Sequence, residues 1–133
     1  MSCNSILTVL SLREKYLERK LRYEMKHPEA DLQREAVKWM RENLPDMIIF
    51  SVPNEACFRR VNYFRDLGML KGVSDVIVVG LEQVIFIEFK SETGRLSTEQ
   101  KKFKAKVESL GHTHLVIRYM SDLKRFFGFP VSA

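Results

Sequence analysis

The sequence is poor in cysteine and contains no long apolar run. Cys3 and Cys57 are the only cysteines among 133 residues, and their spacing is not that of a paired motif. This excludes a disulfide framework and a cysteine zinc site, and it favours free thiols in a reducing cytoplasm. The apolar opening SILTVLSL is short, has no basic segment before it and runs into the charged stretch LREKYLERK. It predicts neither a secretion signal nor a membrane span, so we expect a cytoplasmic protein with no membrane partner.

Positive charge is abundant by contrast. Lysine and arginine number 22 against 17 aspartates and glutamates, which gives a net charge of +5 and a pI near 9.3. Hydrophobic residues make up 45% of the chain, enough for a single domain of this length to bury a core. The charge balance favours an anionic partner, nucleic acid before a membrane surface, although many basic domains bind neither.

Helical and strand-like patterns alternate along the chain. A highly charged helical pattern at residues 12–26 ends at His27-Pro28, so we assign residues 1–28 to an N-terminal arm and residues 29–133 to the main domain. The segments of the main domain are, in order, EADLQREAVKWMRENL (helix), MIIFSV (strand), FRRVNYFRDLGMLKG (helix, to Gly68 or Gly72), SDVIVVG and VIFIEFK (strands), LSTEQKKFKAKVESLG (helix), THLVIRY (strand) and SDLKRFFGF (helix from Ser121). They predict an α/β fold of order α-β-α-β-β-α-β-α, with a mixed β-sheet flanked by α-helices.

The helix LSTEQKKFKAKVESLG has well-marked ends. Ser97 and Gln100 fit a capping box at its start, and Gly111 is the expected stop at its end. Its buried stripe is predicted at Phe103, Val107 and Leu110.

The two strands before that helix form a predicted hairpin with charged residues at one end. If GLEQ is the loop, Val79 lies opposite Val84, and the same register places Asp75 opposite Glu88. Lys90 follows on the same face, roughly 6–7 Å beyond Glu88. A bulge would shift this pairing by one residue. As it stands, the register gathers two carboxylates and an ammonium group at one end of an apolar hairpin.

Two adjacent carboxylates repel each other unless one is protonated or a cation lies between them. Oxygen ligands of this kind suit Mg²⁺ or Mn²⁺, and a nearby lysine can orient or deprotonate an attacking water or neutralise charge on a phosphate. The alternative is an exposed strand end with an ordinary Glu–Lys pair, since Glu-x-Lys is a very common pattern. The residues alone leave both interpretations open.

From Glu29 to about Arg125 the chain resembles the VRR-NUC (virus-type replication–repair nuclease) family of the PD-(D/E)XK nuclease superfamily. The matching stretches are, in order, EADLQREAVKWMRENLP, VPN, GVSD, IFIEFKSETGRLSTEQ and the strand after LGHTH. Their order and spacing carry the resemblance, since no single stretch is specific. It implies a PD-(D/E)XK nuclease-like sheet flanked by helices.

The resemblance also implies a role for individual residues. Asp75, Glu88 and Lys90 would form a D…E-x-K active site whose carboxylates bind Mg²⁺ or Mn²⁺. The backbone carbonyl of Phe89 is implied as a further metal ligand, and Glu29 as an acidic residue that reaches the metal directly or through water. Glu29 has an ordinary explanation as well, because the helix dipole favours a glutamate in the first turn.

Two further residues match the family near the site, and one departs from it. Gln100 is one match, although its capping box with Ser97 explains it too, and both roles hold if the cap presents the helix N-terminus to a phosphate. Asn54 is the other match and is equally an ordinary turn residue. Ser74 stands where the family usually has proline, giving GVSD in place of GVPD. Proline fixes backbone shape and supplies no ligand, so this departure concerns loop rigidity more than catalysis.

Basic residues lie on both sides of the predicted site in the sequence. The candidates for contacts to DNA phosphates are Arg59, Arg60, Lys71, Lys101, Lys102 and Lys104. Such contacts predict steeply salt-dependent binding through backbone and shape, without base readout. The alternative is a solvated lysine face that keeps the protein soluble. His112 and His114 form an H-x-H pattern without further ligands, so we interpret them as ordinary strand or loop histidines.

Together these observations predict a metal-dependent, structure-specific DNA endonuclease with Mg²⁺ or Mn²⁺ as its cofactor. The resemblance implies a homodimer that cleaves branched DNA such as four-way (Holliday) junctions, with links to replication and repair and often to phages. Physics favours a dimer as well, because symmetric cleavage of two strands needs two sites related by a two-fold axis. The alternatives are a flap or single-strand nuclease with the same site, and a non-catalytic DNA-binding module. A binding module has no reason to keep opposed carboxylates that repel DNA.

Overall fold

The computed structural model describes residues 3–53 and 59–131, without the side chains of residues 3–10 and 23–26. The predicted role of Asn54 therefore concerns a residue outside the described part. The elements in chain order are α1 (Cys3–Lys26), α2 (Pro28–Asn43), β1 (Ile48–Ser51), α3 (Val61–Asp66), β2 (Val76–Val79), β3 (Val84–Phe89), α4 (Thr98–Ser109), β4 (Thr113–Ile117) and α5 (Met120–Phe126). Their order confirms the predicted one, preceded by the charged helix α1.

The four strands form one sheet in the order β1-β2-β3-β4. β1, β2 and β3 pair antiparallel, whereas β4 runs parallel to β3. A parallel pair needs a crossover connection, and α4 supplies it. The predicted mixed sheet flanked by helices is therefore confirmed.

One face of the sheet is buried under α2 and α5. Successive side chains of a strand point to opposite faces of the sheet. Ile85, Ile87 and Phe89 therefore point to this face, and Glu88 points to the opposite one. The buried core consists of Ala36, Met40, Ile49, Val76, Val78, Ile85, Ile87, Phe89, Ile117 and Leu123. On the opposite face α4 covers β3, where the rings of Phe86 and Phe103 meet edge to face at 5.3 Å. Glu88 therefore lies on the α4 side of the sheet.

Both ends of α4 form as predicted, but one residue of its predicted buried stripe is exposed. Ser97 Oγ accepts from the Gln100 amide, and the Gln100 side chain accepts from the Ser97 amide, which completes the capping box. At the other end Gly111 has a φ of +83°, the left-handed conformation of a helix stop. The prediction that Leu110 is buried is wrong. It is 64% exposed, because it is the C-cap residue at which the chain turns toward β4.

Two glycines shape the segment that leads into β2. α3 ends before the first of them, where Gly68 has a φ of +104° and its amide donates to the Arg65 carbonyl. Gly72 has a φ of +82°, and a Cβ there would lie 2.5 Å from the backbone carbonyl carbon of Glu99. The segment before β2 therefore passes directly against the start of α4, which only glycine allows.

The first helix carries an exposed apolar stripe. Leu12, Tyr16, Leu17 and Leu21 lie at helical spacing, and each is 46–64% exposed. None of the helices in the described ranges is both long enough and apolar enough to cross a membrane.

Candidate active site

The hairpin of β2 and β3 brings Asp75 and Glu88 to the same place. The observed register pairs Val76 with Ile87, as the predicted loop requires, and its continuation places Asp75 opposite Glu88. The backbone amide of Phe89 donates to Asp75 Oδ2 at 2.8 Å. The predicted register is therefore confirmed, and one hydrogen bond fixes the Asp75 carboxylate against β3.

Glu88 is a buried acid with one oxygen available. Its side chain is 4% exposed, and Oε2 is buried without a hydrogen-bond partner in the described part of the chain. Burial, and next the negative charge of Asp75, raise the pKa of Glu88 to about 7. An unpartnered carboxylate oxygen in such a place is costly unless a proton or a cation reaches it.

Asp75 experiences opposing influences. Burial is the largest and raises the pKa of Asp75, while the Phe89 amide and then the Lys90 ammonium lower it. Burial therefore raises the pKa of both carboxyl groups, and the charge of Glu29 adds to this effect in each case.

Gln100 connects the helix cap to the acidic pair. Its Oε1 accepts from the Ser97 amide at 2.8 Å, and its Nε2 donates to Glu88 Oε1 at 2.6 Å. One side chain thus closes the capping box and orients the buried glutamate at the same time. The capping box predicted for Gln100 is therefore confirmed, and the contact with Glu88 places the same side chain at the acidic pair; a role of Gln100 in catalysis stays a prediction.

Lys90 lies beside the same carboxylate. Its Nζ is 3.7 Å from Glu88 Oε1, and its side chain is 14% exposed. A cavity of about 660 Å³ opens next to it, lined by Glu29, Lys71, Asp75, Glu88, Phe89, Lys90, Ser97 and Gln100 among others. The acidic pair and Lys90 therefore line one cavity, although the Glu88 side chain itself is almost fully buried.

Glu29 lies at the start of α2 and lines the same cavity. Its Oε1 accepts from the Ser91 amide at 3.1 Å, and its charge raises the pKa of both Asp75 and Glu88. In the described ranges, no group of three or more histidine, cysteine, aspartate or glutamate side chains is arranged to hold a metal ion. The structure therefore brings Glu29 near the pair, with its carboxylate held by the β3–α4 loop.

Arg118 organises that loop, and sequence patterns gave no sign of it. The guanidinium donates to the carbonyl oxygens of Ser91 at 2.5 Å and Gly94 at 2.6 Å. Gly94 in turn leaves little room, since a Cβ there would lie 3.3 Å from Glu29 Oε1. Arg118 comes directly after β4, so the strand end and the loop after Lys90 are tied together.

Removal of this guanidinium should loosen the loop. We expect Arg118→Ala to lower the free energy of unfolding by about 1.5–3 kcal/mol, the usual contribution of hydrogen bonds from a charged donor. Urea denaturation measures this. Arg125→Ala is the matched control, because Arg125 is exposed and pairs with Asp122 at 3.6 Å. Its loss should change stability by no more than about 0.5 kcal/mol. Equal effects of the two substitutions would contradict the assignment.

The structure separates the predicted DNA-contacting residues into groups. Lys71 lines the cavity, whereas Arg59 and Arg60 are exposed just before α3 and are not among its lining residues. Lys101 is exposed on α4, and Lys102 and Lys104 form surface ion pairs with Glu99 and Glu108 respectively. Exposed pairs of this kind are weak, so a phosphate can compete for both lysines.

The two histidines form structural hydrogen bonds, in keeping with the ordinary roles predicted for them. His112 Nδ1 accepts from the Val84 amide at 3.2 Å, and His114 Nε2 lies 3.1 Å from Ser74 Oγ.

Comparison with known proteins adds three findings. The model of the VRR-NUC domain matches residues 12–118, most of the chain. A solved structure named "VRR_NUC domain protein" is similar with a TM-score of 0.60 and 19% sequence identity, over 74% of this chain and 84% of that one. At this identity the likeness supports the fold. No curated protein matches the chain.

Proposed function

Because this chain belongs to the VRR-NUC domain family, which implies a nuclease-type function, we propose that it is a metal-dependent endonuclease that hydrolyses phosphodiester bonds in DNA. The observation that carries this proposal is the buried Glu88 carboxylate, whose Oε2 has no partner among the described residues. It lies beside Asp75 and Lys90 in an open cavity. This arrangement costs stability in the free protein, and a function in cation and phosphate binding explains it.

The donor set fits a hard divalent cation. Asp75 and Glu88 would supply carboxylate oxygens, the Phe89 carbonyl would add a neutral oxygen, and Glu29 would reach the same ion directly or through water. These ligands suit Mg²⁺ or Mn²⁺, which keep several waters and bind with help from phosphate oxygens. When bound, such an ion supplies Lewis-acid stabilisation of the charge that develops on the phosphate.

The remaining chemistry falls to this chain's own side chains. Lys90 Nζ can donate to a phosphate oxygen or hold the attacking water, and no covalent intermediate is needed. Gln100 keeps the Glu88 carboxylate in one orientation through the 2.6 Å hydrogen bond. The Phe89 amide does the same for Asp75. The site is thus preorganised before substrate arrives.

We assign branched DNA, including four-way junctions, as the substrate and a homodimer as the active form. One chain carries one such site, and two sites related by a two-fold axis would cut two strands symmetrically. The exposed apolar stripe of α1 and the exposed Tyr63, Leu67 and Leu70 around α3 supply candidate interface surface. A flap or single-strand nuclease is the second candidate, since the same site serves either substrate.

A panel of labelled substrates tests the proposal. Purified protein is incubated with four-way junction, flap, duplex and single-stranded DNA, each with Mg²⁺, Mn²⁺ or EDTA. We expect cleavage only with a divalent ion, and strongest on the junction. Cleavage in EDTA would refute the metal-dependent site, and preference for flap or single strands would select the second candidate. A monomeric mass by light scattering at assay concentration would remove the dimer.

The lysines of α4 give a separate prediction about DNA binding. We expect the Lys101→Ala/Lys102→Ala double variant to bind DNA more weakly and to flatten the plot of log affinity against log salt. The slope should fall by about 0.9 for each phosphate contact removed. Binding titrations at several salt concentrations, with EDTA present to prevent cleavage, measure this. Arg125→Ala on α5 is the control. An unchanged slope in the double variant would show that α4 presents only a solvated face.

A further inference from the structure

A buried hydrogen bond joins the residue before Asp75 to a distant strand. Ser74 is completely buried, and its Oγ lies 3.1 Å from Nε2 of His114 in β4. His114 is itself only 7% exposed, and its ring packs edge to face with Phe103 of α4 at 6.1 Å. The imidazole is therefore held by α4 on one side and holds the hydroxyl of Ser74 on the other.

The backbone at this point needs such support. Asp75 precedes the regular part of β2, and its carbonyl accepts from the Val52 amide at 2.8 Å. The chain arrives from Gly72, which has a φ of +82° and packs against the start of α4. A proline at position 74 would fix the backbone angle φ without any partner. Serine does not, and the contact of its buried side chain with His114 supplies a restraint in its place.

We propose that His114 is a positioning residue, which fixes the backbone from which Asp75 projects by its hydrogen bond to Ser74. The inference rests on the proposed function, because it concerns the placement of a metal-binding carboxylate. His114 does not touch substrate or metal in this role. It acts through Ser74, and then through Asp75.

The state of the imidazole suits a structural hydrogen bond. Burial, and next the positive charge of Lys104, lower the pKa of His114, and Glu108 opposes this effect. Nδ1 is buried without a partner among the described residues. A neutral ring can form the bond to Ser74 in either tautomer, as donor or as acceptor. The contact thus satisfies Ser74 Oγ and His114 Nε2 and involves neither Asp75 nor Glu88.

The test replaces His114 with phenylalanine, which keeps the ring contact with Phe103 and removes Nε2. Asp75 then loses its fixed position, so the amide of Phe89 loses its acceptor and should exchange with solvent several-fold faster. The amide of Lys90 donates to the Ile117 carbonyl at 3.0 Å and should stay protected, as an internal reference. Exchange is measured in EDTA, so this readout needs neither metal nor DNA.

Metal affinity and cleavage supply the second readout. Residues that orient metal ligands typically contribute about 10- to 100-fold to affinity or activity, and we expect a loss in this range for Mn²⁺ binding and for the cleavage rate of His114→Phe. His112→Phe is the matched control. It also removes one histidine hydrogen bond at β4, to the Val84 amide. The His112→Phe variant should leave the Mn²⁺ affinity and the cleavage rate unchanged.

Rescue separates positioning from a general loss of packing. Adding Ser74→Pro to His114→Phe restores a fixed backbone at position 74, so Mn²⁺ affinity and Phe89 protection should recover. If His114→Phe does not fold, the Ser74→Ala and Ser74→Pro variants carry the same comparison, with loss in the first and retention in the second. Unchanged Phe89 exchange in His114→Phe, or equal losses in the two Ser74 variants, would overturn the inference. Failure of the proposed function looks different, because wild-type protein would then neither bind Mn²⁺ nor cut DNA.

Discussion

The Asp75→Asn variant should lose DNA cleavage while keeping its fold. The substitution preserves the size of the side chain, and an amide oxygen can still accept from the Phe89 amide that now donates to Asp75 Oδ2. It removes one negative charge from the proposed cation site. A bound metal contributes several kcal/mol to transition-state stabilisation, so we expect the cleavage rate to fall by about 10³-fold or more.

We expect the stability of Asp75→Asn to be retained although its activity is lost. The charge of Asp75 raises the pKa of Glu88, so its removal relieves repulsion at a buried site. We therefore expect an unfolding free energy at least equal to that of the wild type in EDTA. Single-turnover cleavage of a labelled junction and urea denaturation measure the two quantities on the same preparation. The control is Asp46→Asn, an exposed carboxylate in the turn before β1.

Two outcomes would count against the site. Cleavage by Asp75→Asn within a few-fold of the wild type would show that this carboxylate does not bind the catalytic ion. Loss of both activity and folded structure would show that Asp75 supports the hairpin and would leave Glu88 and Lys90 as the remaining candidates. Retained DNA binding in EDTA, with cleavage lost, separates chemistry from substrate affinity.

Much of the acidic pair could be predicted from the sequence because it rests on local rules. A short loop fixes the register of a hairpin, and a strand period of two then places every side chain on one face or the other. These rules predicted the pairing of Val76 with Ile87, and the continuation of that register places Asp75 opposite Glu88. The sequence signal for the start of α4 is equally local, since a capping box is contained within four residues.

The parts that escaped prediction depend on contacts between distant segments. Arg118 and Ser91 are 27 positions apart, and His114 and Ser74 are 40 apart. No periodicity or turn signal connects such residues, because their proximity follows only from the parallel placement of β4 beside β3. The prediction that Leu110 is buried was wrong for a related reason. Helical spacing gives the face on which a residue lies, but the C-cap position removed Leu110 from the core.

The unusual charge state of Glu88 leads to a second large effect, on stability. Its carboxyl has a pKa raised from 4.5 to about 7, so between these values the folded protein holds a proton that the unfolded chain has released. The free energy of unfolding of the metal-free protein should therefore fall as pH rises through this window. Glu88→Gln removes the titrating group and keeps an oxygen that can accept from Gln100.

We therefore expect Glu88→Gln to be more stable than the wild type by about 1–3 kcal/mol near pH 8 in EDTA, and the difference to shrink toward about pH 5. Urea denaturation at the two pH values measures this, with the exposed Glu82→Gln of the hairpin loop as control.

Mn²⁺ should make the wild type more stable than Glu88→Gln, which reverses the order expected in EDTA. An ion that binds only the folded state adds about 2.7 kcal/mol at one hundred times its dissociation constant, and this gain requires the ionised Glu88 carboxylate. Near pH 8 the wild type should then gain stability on addition of Mn²⁺, whereas Glu88→Gln gains little. A wild type that is already the more stable protein in EDTA would mean that Lys90 and Gln100 fully compensate the buried charge. In that case the carboxylate would be a structural ion pair, with no stability cost for a cation to relieve.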